Sequence, residues 1–412
     1  MPSDTIDLAV VGCGVSGATA ALTAAKNGLS VSILEEHPRV GEPSHCSGHV
    51  GILAFKKFAP DIPRRIIENT VKGAVLHSPN GAALTLRRST PVTWVLNRSE
   101  FDRHLASLAT TNGAELHLNS RVENFRRAED ESFVLNVAGP EHKEVRSRLL
   151  IDASGSGSSI AKYAGLLQRG TRLVNSAQFS VDEVRDVDVD FVELYFGQTF
   201  APGFFGWIIP RRDGSAKVGI AAGSRANVRQ CFQRFIKKHP IASAKLRHAK
   251  ELTTPMYHPI PVGGAAHKTF ADGIMTVGDA ASQVKPTTGG GIVFGLACGR
   301  LAGETATRAI RSGDTSARVL KEYDQSWRDL IGFDLNAMSW LRRLLYRLPD
   351  HQLDRIFSVA RELKANEILN TTADIDFQGR TILSLARDPR FFLTLLSASV
   401  LSAPSLIRTS SP

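Results

Sequence analysis

The sequence lacks several features that would place the protein in common classes. Its four cysteines, Cys13, Cys46, Cys231 and Cys298, lie far apart and form no CxxC pair, which argues against a zinc site or a disulfide framework and favours a reducing compartment. No apolar run approaches the roughly 20 residues that span a bilayer. The start shows no charged region followed by an apolar region, as a signal peptide would. We therefore expect a cytoplasmic protein that meets the inner face of the cell membrane only peripherally.

Charge is unbalanced toward the basic side. The 412 residues include 50 lysines and arginines against 40 aspartates and glutamates, a net charge of +10. Such an excess suits an anionic membrane surface, a phosphorylated substrate or nucleic acid. No interleaved aromatic and basic motif accompanies it, so we expect no nucleic-acid partner.

A glycine motif near the start carries the first chemical signal. A short apolar strand precedes Gly12-Cys-Gly14-Val-Ser-Gly17, and an alanine-rich helix and a second strand ending at Glu35 follow. This strand–GxGxxG–helix–strand–acid pattern is the dinucleotide-binding fingerprint. Gly12 makes the turn, Gly14 lets the backbone reach the pyrophosphate, and Gly17 lets helix and strand pack closely. Glu35 stands where a carboxylate binds ribose hydroxyls.

A second glycine-rich stretch spans residues 276–295, TVGDAASQVKPTTGGGIVFG. An apolar strand ends at Gly278-Asp279, and Gly289-Gly290-Gly291 leads into an apolar helix at Ile292. Three glycines in a row remove every Cβ from the surface that a ligand approaches. The free N–H groups of the helix start favour an anionic or electron-rich ligand.

The remaining patterns predict an α/β fold with three regions. A Rossmann-like nucleotide-binding domain would comprise 1–68, 98–165 and 271–314. An inserted antiparallel β-sheet domain for the substrate would comprise 69–97 and 166–270. Residues 315–412 would form a helical C-terminal region.

One helical segment of that last region, 337–348, leaves two interpretations open. Its apolar side chains recur at helical spacing, and three arginines flank them. This pattern is compatible with a helix on a membrane surface and equally with a packing helix whose basic side faces solvent.

The loop at 37–53 places Cys46 between His45 and His49. Two histidines around one cysteine are too few to predict a metal site, so we expect no metal. From the residues alone, Cys46 is either a small buried side chain or a functional thiol.

Three glycine motifs occur in one order along the chain: the fingerprint ending at Glu35, Asp152-Ala-Ser-Gly155, and the 276–295 stretch. That order resembles the FAD-dependent oxidoreductases with the para-hydroxybenzoate hydroxylase fold. Within that fold, the chain is similar to the geranylgeranyl reductase family. The segments that carry this likeness are Pro43-Ser-His-Cys46-Ser-Gly48, Arg98-Ser-Glu-Phe-Asp102, Gly206-Trp207-Ile-Ile-Pro210 and Asp376-Phe-Gln-Gly379.

The resemblance implies FAD as the cofactor and a set of residues that contact it. These are Gly12, Gly14, Ser16, Gly17, Glu35, Glu36, Cys46, Gly48, Arg98, Val122, Asp152, Gly155, Asp279, Gly289, Gly290, Gly291 and Ile292. It also implies a lipid tunnel at Phe205, Trp207 and Pro210. Phe205 and Ile209 stand where the family usually has tyrosine and phenylalanine.

The implied reaction is saturation of isolated C=C bonds in geranylgeranyl chains, carried by membrane glycerolipids of the archaeal type or a related prenyl lipid. Such a bond is not polarised, so a hydride and a proton must be supplied in one aligned geometry. The resemblance makes Cys46 the proton donor or its relay, with His45 or His49 passing protons from solvent.

Rival functions stay open at this point. A flavin monooxygenase or a quinone reductase would use the same fold, and a non-catalytic electron carrier or lipid-binding protein would keep FAD without turnover. The chain has no second dinucleotide fingerprint, so NAD(P)H, ferredoxin and a deazaflavin all stay open as the electron donor.

Overall fold

The computed structural model describes residues 5–140, 143–166, 172–372, 374–387 and 389. The predicted helical region therefore extends beyond what is described, and its end at 412 lies outside these ranges. The strands are β1 (Ile6–Val11), β2 (Val31–Leu34), β3 (His49–Gly51), β4 (Ile67–Val71), β5 (Gly73–His77), β6 (Ala83–Arg87), β7 (Thr93–Leu96), β8 (Ala114–His117), β9 (Arg121–Arg127), β10 (Phe133–Ala138), β11 (Lys143–Asp152), β12 (Leu173–Asp182), β13 (Phe191–Phe196), β14 (Phe205–Pro210), β15 (Ala216–Gly223), β16 (Lys250–Glu251), β17 (Met256–Pro261), β18 (Phe270–Ala271) and β19 (Ile274–Thr276).

Helices cover the sheets and form most of the described C-terminal region. They are α1 (Val15–Lys26), α2 (Ile52–Phe58), α3 (Arg98–Thr111), α4 (Ser159–Tyr163), α5 (Val228–Lys238), α6 (Ala242–Lys245), α7 (Ile292–Ser312), α8 (Ala317–Trp327), α9 (Phe333–Leu345), α10 (Asp350–Glu362), α11 (Ala365–Thr372) and α12 (Gly379–Ala386). A π-helical turn, Arg328–Gly332, joins α8 to α9.

The first sheet has a parallel centre in the order β19-β11-β1-β2-β8. The last residues of the central strands lie side by side: Val11 pairs with Leu34 and with Asp152, and Asp152 pairs with Thr276. Because these strands are parallel, their carboxyl ends share one edge of the sheet. The three glycine motifs follow those ends and therefore meet at that edge, where open α/β sheets bind ligands.

Two helices begin at the same edge because glycines let them pack closely. Gly295, Gly299 and Gly303 of α7 face α1, and a methyl group on Gly299 would lie only 2.4 Å from the Ser16 carbonyl oxygen. The helix starts after Gly14 and Gly291 therefore lie close together. Their unpaired N–H groups and dipoles point toward the ends of the strands.

The second sheet has the order β16-β12-β15-β14-β13-β5-β6, with β17 also pairing with β12. One of its faces packs against Phe232 and Phe235 of α5. The other face carries Phe205, Trp207 and Ile209.

The strands of the segment 69–97, which the sequence assigns to the β-rich region, divide between two sheets. Only β5 and β6 join the large sheet, whereas β4 and β7 pair with β3 in a separate three-stranded sheet. The reason is that β3 directly follows the Cys46 loop, and β7 pairs with it from His49 to Gly51. The division of the chain into three regions stays a proposal.

The segment 337–348 makes packing contacts within the described structure. None of the apolar side chains on this segment is exposed, and Leu348 is buried. Arg342 donates hydrogen bonds to the carbonyl oxygens of Pro286 and Gly203. This segment is therefore a packing element, and α9 ends at Leu345. None of the helices in the described ranges combines the length and apolar character that a bilayer crossing requires.

Candidate active site

A large cavity lies where the edge of the parallel sheet, the face of the antiparallel sheet and the C-terminal helices meet. Its volume is about 1470 Å³, above the roughly 300–1,000 Å³ of a site for one drug-sized ligand. It has a polar arm at the strand ends and an apolar arm between the second sheet and the helices. The cavity thus offers room for a cofactor and a second, apolar ligand.

Most of the residues predicted to bind the cofactor line this cavity. They are Gly12, Gly14, Ser16, Glu35, Glu36, Cys46, Arg98, Val122, Gly155, Asp279, Gly289, Gly290, Gly291 and Ile292. They come from six separate stretches of sequence, which the parallel strand ends and the two helix starts bring together. Their individual contacts with a cofactor stay predictions.

The glycines of the fingerprint and of the Asp152–Gly155 turn differ in how much space surrounds them. An added methyl group on Gly14 or Gly155 would meet nothing within 4 Å, whereas one on Gly12 would come within 2.5 Å of the Ala153 carbonyl oxygen. Gly14 and Gly155 thus leave open an approach to the backbone, as a dinucleotide phosphate requires. The residues present fit FAD in this respect.

The Glu35 carboxylate lies beside the first glycine turn and accepts hydrogen bonds from two backbone N–H groups. Its Oε2 accepts a hydrogen bond from the Cys13 backbone N–H at 2.7 Å, and its Oε1 accepts one from the His37 N–H at 3.0 Å. The side chain lies at the polar arm of the cavity, and the loop holds it there before any ligand arrives. Glu36 beside it is exposed and lies 3.6 Å from the Nε of Arg121.

Arg98 stands at the centre of the polar arm. It donates two hydrogen bonds to Asp102, from Nε at 3.0 Å and from Nη2 at 2.9 Å. Burial disfavours its charge, but Asp102 and the sulfur of Cys46 together raise the pKa of Arg98. Burial raises the pKa of Asp279 to about 6, with Arg98 opposing the shift. Asp279 and Cys46 therefore share Arg98 as a cationic neighbour.

The Cys46 loop is held by contacts that the sequence patterns did not reveal. The Gly48 N–H donates to Cys46 Sγ at 3.4 Å, and the Leu96 N–H donates to the Gly48 carbonyl at 2.9 Å. Lys217 lies beneath the loop and donates to the Ser47 carbonyl oxygen at 3.1 Å. Cys46 itself is partly exposed to the cavity, whereas Cys13, Cys231 and Cys298 are buried.

The histidines near Cys46 are neutral at neutral pH. Burial lowers the pKa of His45 to about 3 and that of His49 to about 4, and His258 and Lys285 add to the respective shifts. The ring of His45 stacks on that of His258 with centroids 3.7 Å apart. His49 Nε2 lies 2.8 Å from the Thr93 hydroxyl. Neither ring carries the extra proton of an imidazolium at neutral pH. The prediction that they supply protons to Cys46 is therefore limited to relaying protons through a neutral ring.

No metal site accompanies these rings in the ranges that the structure describes, where no three His, Cys, Asp or Glu side chains group together.

The apolar arm is built by side chains from two layers. The sheet contributes Ala74, Leu76, Val192, Leu194, Phe196, Phe205, Trp207 and Ile209, and the helices contribute Leu341, Leu345, Tyr346, Leu369, Ile382 and Leu385. The polar edge of Trp207 is satisfied because its Nε1 donates to Gln178 Oε1 at 3.0 Å. The arm can therefore receive an apolar chain without leaving this donor unpaired.

Four predicted site residues do not line the cavity, and their contacts with a ligand stay predictions. A methyl group on Gly17 would lie 2.0 Å from the Gly12 carbonyl oxygen, and one on Gly48 would lie 2.1 Å from the Leu96 carbonyl oxygen. Both glycines are needed for close backbone packing.

The other two are buried beneath the cavity wall. Asp152 is fully buried and accepts hydrogen bonds from the hydroxyls of Ser154 and Ser158, so it shapes the turn that ends in Gly155. The carbonyl oxygen of Pro210 accepts a hydrogen bond from Asn69 at 2.9 Å.

A buried ion pair at the cavity wall was missed from the sequence. Lys285 Nζ lies 2.7 Å from Asp376 Oδ1, and the Gly51 N–H donates to Asp376 Oδ2 at 2.8 Å. The two side chains are only 5% and 2% exposed. Asp376 belongs to a segment that carried the family resemblance, but its partner lies 91 residues away, where no local pattern points to it.

Two family models match the chain. One is described as FAD-dependent oxidoreductase and matches residues 7–198. The other is described as geranylgeranyl reductase catalytic domain and matches residues 174–253. The first covers the fingerprint and the Cys46 loop, and the second covers the sheet that forms the apolar arm.

Curated relatives match most of the chain. A digeranylgeranylglycerophospholipid reductase of Methanocaldococcus jannaschii is 31% identical over 86% of this chain and 90% of the relative. One of Methanosarcina mazei is 33% identical over 93% of this chain and 92% of the relative.

A solved structure shares the fold over nearly its whole length. It is a geranylgeranyl bacteriochlorophyll reductase-like protein of Thermoplasma acidophilum, with a TM-score of 0.84, 26% identity, and coverage of 96% of this chain and 99% of that one. Together with the identity to the curated relatives and the cavity described above, this shows that the chain belongs to the geranylgeranyl reductase family of FAD-dependent oxidoreductases.

Proposed function

We propose that this protein reduces isolated C=C bonds in the geranylgeranyl chains of a membrane glycerolipid. The observation that carries the proposal is one continuous cavity in which an apolar arm opens onto a glycine-walled polar arm beside Cys46. The relatives' names specify a digeranylgeranylglycerophospholipid, and the apolar arm suits the prenyl chains of such a lipid.

The apolar arm supplies binding energy without directional contacts. Burial of a chain there is worth about 0.8 kcal/mol per CH₂ group. Aromatic and aliphatic walls such as Phe205, Trp207 and Ile209 exclude water and position a double bond without polarising it. This suits a prenyl chain, whose double bonds offer no hydrogen-bonding groups for recognition.

FAD, when bound, supplies the hydride for one carbon of the double bond. The protein must then deliver a proton to the other carbon. In our proposal the Cys46 thiol holds that proton. Cys13 also lines the cavity, but it is buried, whereas Cys46 is partly exposed there. Arg98 fixes the sulfur from one side. His45 and His49, both neutral, pass protons between solvent and the loop.

Substitution of Cys46 tests this assignment. Cys46→Ala removes the proton and is expected to lower turnover of a geranylgeranyl lipid by about 10²–10⁴-fold, the usual contribution of general acid catalysis, while FAD stays bound. Cys231→Ala, in α5 on the far face of the second sheet, is the matched control and should retain activity. Full reduction by the FAD-loaded Cys46→Ala protein would remove Cys46 from the mechanism.

We also propose that the protein docks peripherally on the inner face of the membrane, where its substrate would lie. The net charge of +10 supports this proposal, since basic residues near an anionic leaflet each contribute about 1 kcal/mol. Binding to vesicles that contain anionic lipid should weaken as salt rises. Binding that is indifferent to salt would contradict it.

A further inference from the structure

Lys217 is a buried charge that the proposed chemistry does not use. It lies in β15 and is 6% exposed. Its ammonium pairs with Glu68 Oε2 at 2.6 Å and donates to the carbonyl oxygens of Ser47 at 3.1 Å and Leu96 at 2.9 Å. Two N–H donors of the ammonium are thus paired with carbonyl oxygens, and the Glu68 carboxylate lies at ion-pair distance on the remaining side.

The two carbonyl groups belong to the parts of the chain that define the Cys46 loop. Ser47 follows the cysteine directly, and Leu96 ends the strand against which Gly48 packs. Lys217 therefore joins the loop to β7. It does not line the cavity itself, so it has no direct access to a ligand.

The pairing of the Lys217 ammonium depends on the position of the Cys46 loop. A buried ammonium is strongly destabilising unless all its donors are paired. Movement of the loop would remove the Ser47 carbonyl from Lys217 and leave an N–H unpaired. Glu68, which Arg211 also approaches at 3.5 Å, keeps the ammonium in place from the other side.

We propose that Lys217 is a positioning residue that holds the Cys46 thiol at the junction of the two arms of the cavity. The inference rests on the proposed function for its catalytic consequence, whereas the restraint on the loop is independent of it. Lys217 fixes the Ser47 carbonyl, and through it the direction in which the neighbouring Cys46 side chain points.

The test uses FAD-loaded protein and two readouts. One is the rate at which iodoacetamide alkylates Cys46, located by mass spectrometry, and the other is kcat and KM for a geranylgeranyl lipid. Lys217→Met is expected to raise the alkylation rate several-fold and to lower kcat by about ten- to a hundredfold, since small misplacements of a reacting group have effects of that size. KM and FAD affinity should stay unchanged.

Two further variants separate positioning from general stability. Lys217→Arg keeps the charge and should restore part of kcat. Lys245→Met removes a comparable ion pair to Glu193, 2.6 Å long and in the same lobe, and should change neither readout. If Lys217→Met does not fold, Lys217→Gln, which retains two donors, takes its place.

The outcomes are distinct. A folded Lys217→Met protein whose alkylation rate and kcat equal those of Lys245→Met would overturn the inference, and so would a loss shared equally by kcat, KM and FAD affinity. If the wild-type protein does not reduce prenyl lipids but Lys217→Met still exposes Cys46, the proposed function fails and the positioning role stands.

Discussion

Gly14 and Gly17 lie three residues apart in one motif, but the space around them differs. A methyl group on Gly14 meets nothing within 4 Å, while one on Gly17 would lie 2.0 Å from the Gly12 carbonyl oxygen. Gly14→Ala should therefore leave the thermal midpoint of the cofactor-free protein nearly unchanged and weaken FAD binding by about tenfold or more, roughly 1.4 kcal/mol. Gly17→Ala should lower the thermal midpoint.

Fluorescence titration with FAD and thermal unfolding of the same samples measure the two effects. Gly332→Ala, just before α9 and outside the cavity, controls for substitution of a glycine as such, because its backbone is helical and an added methyl group would come no nearer than 3.6 Å to a neighbour. Gly14→Ala protein that binds FAD as tightly as the wild type would show that the cofactor does not approach this part of the backbone.

Asp279 gives the cofactor-free protein a specific dependence on pH. Burial raises its pKa to about 6, above its ordinary value near 3.9 in an unfolded chain. The folded state therefore binds this proton more tightly, and stability falls as pH rises from about 4 to about 6. Asp279→Asn removes the titrating group, so the variant should gain stability relative to the wild type across that interval.

Urea unfolding of both proteins at pH 4.5 and 7.5 measures this difference. The wild type and the variant contain the same buried histidines, so the contributions of these histidines cancel when the two proteins are compared. Those contributions have the opposite sign: because the pKa values of the histidines are lowered, they reduce stability as pH falls below about 6.5. An equal difference in stability at the two pH values would contradict the account of Asp279.

Among single residues, the sequence predicts the position of those that local geometry places. The glycines, Glu35 and Asp279 stand at fixed distances from strand ends and helix starts, so their positions follow from the pattern. Lys217, Gln178 and Lys285 could not be found this way because their partners lie far along the chain. The neutral state of His45 and His49 likewise depends on burial by distant segments.

Among the elements, the segment between α11 and α12 closes one side of the cavity. Asp376 joins it to Lys285 beside the glycine turn and to Gly51 at the start of α2. Asp376→Asn would leave a buried ammonium uncompensated, which typically lowers the free energy of unfolding by about 3–5 kcal/mol. Addition of Lys285→Met to that variant should recover much of the loss, because the unpaired charge is then absent.

A double-mutant cycle by urea unfolding measures this coupling. Asp350→Asn is a control, since that carboxylate is partly exposed and accepts hydrogen bonds from Gln198 and Thr199 without a buried cation. An Asp376→Asn protein that loses less than about 1 kcal/mol, or a double variant no more stable than the single one, would show that the pair does not hold this segment.

The elements themselves followed largely from periodicity and turn residues. The alanine-rich helix of the fingerprint and the apolar helix at Ile292 occur where the sequence predicts them. The partner of β7 was not predicted, because alternation of apolar residues shows which face of a strand is buried but not which strand lies beside it. The apolar face of α9 had two interpretations for the same reason.

On the scale of the whole molecule, the site exists only because distant segments meet. The polar arm comes from the ends of parallel strands, and the apolar arm lies between a sheet and helices that follow it by more than a hundred residues. No single motif specifies that junction, so the family resemblance and the structure were both needed to place Cys46 there. In the proposed function, the prenyl C=C bond is reduced at that junction.

The most direct test is anaerobic incubation of FAD-loaded, dithionite-reduced protein with a geranylgeranyl glycerolipid, followed by mass spectrometry of the lipid. Lipid mass should rise in steps of about two units per double bond, since each reduction adds one hydride and one proton. Oxygen should not be required. An unchanged lipid, or a product that forms only with oxygen and carries a hydroxyl group, would contradict the proposed function.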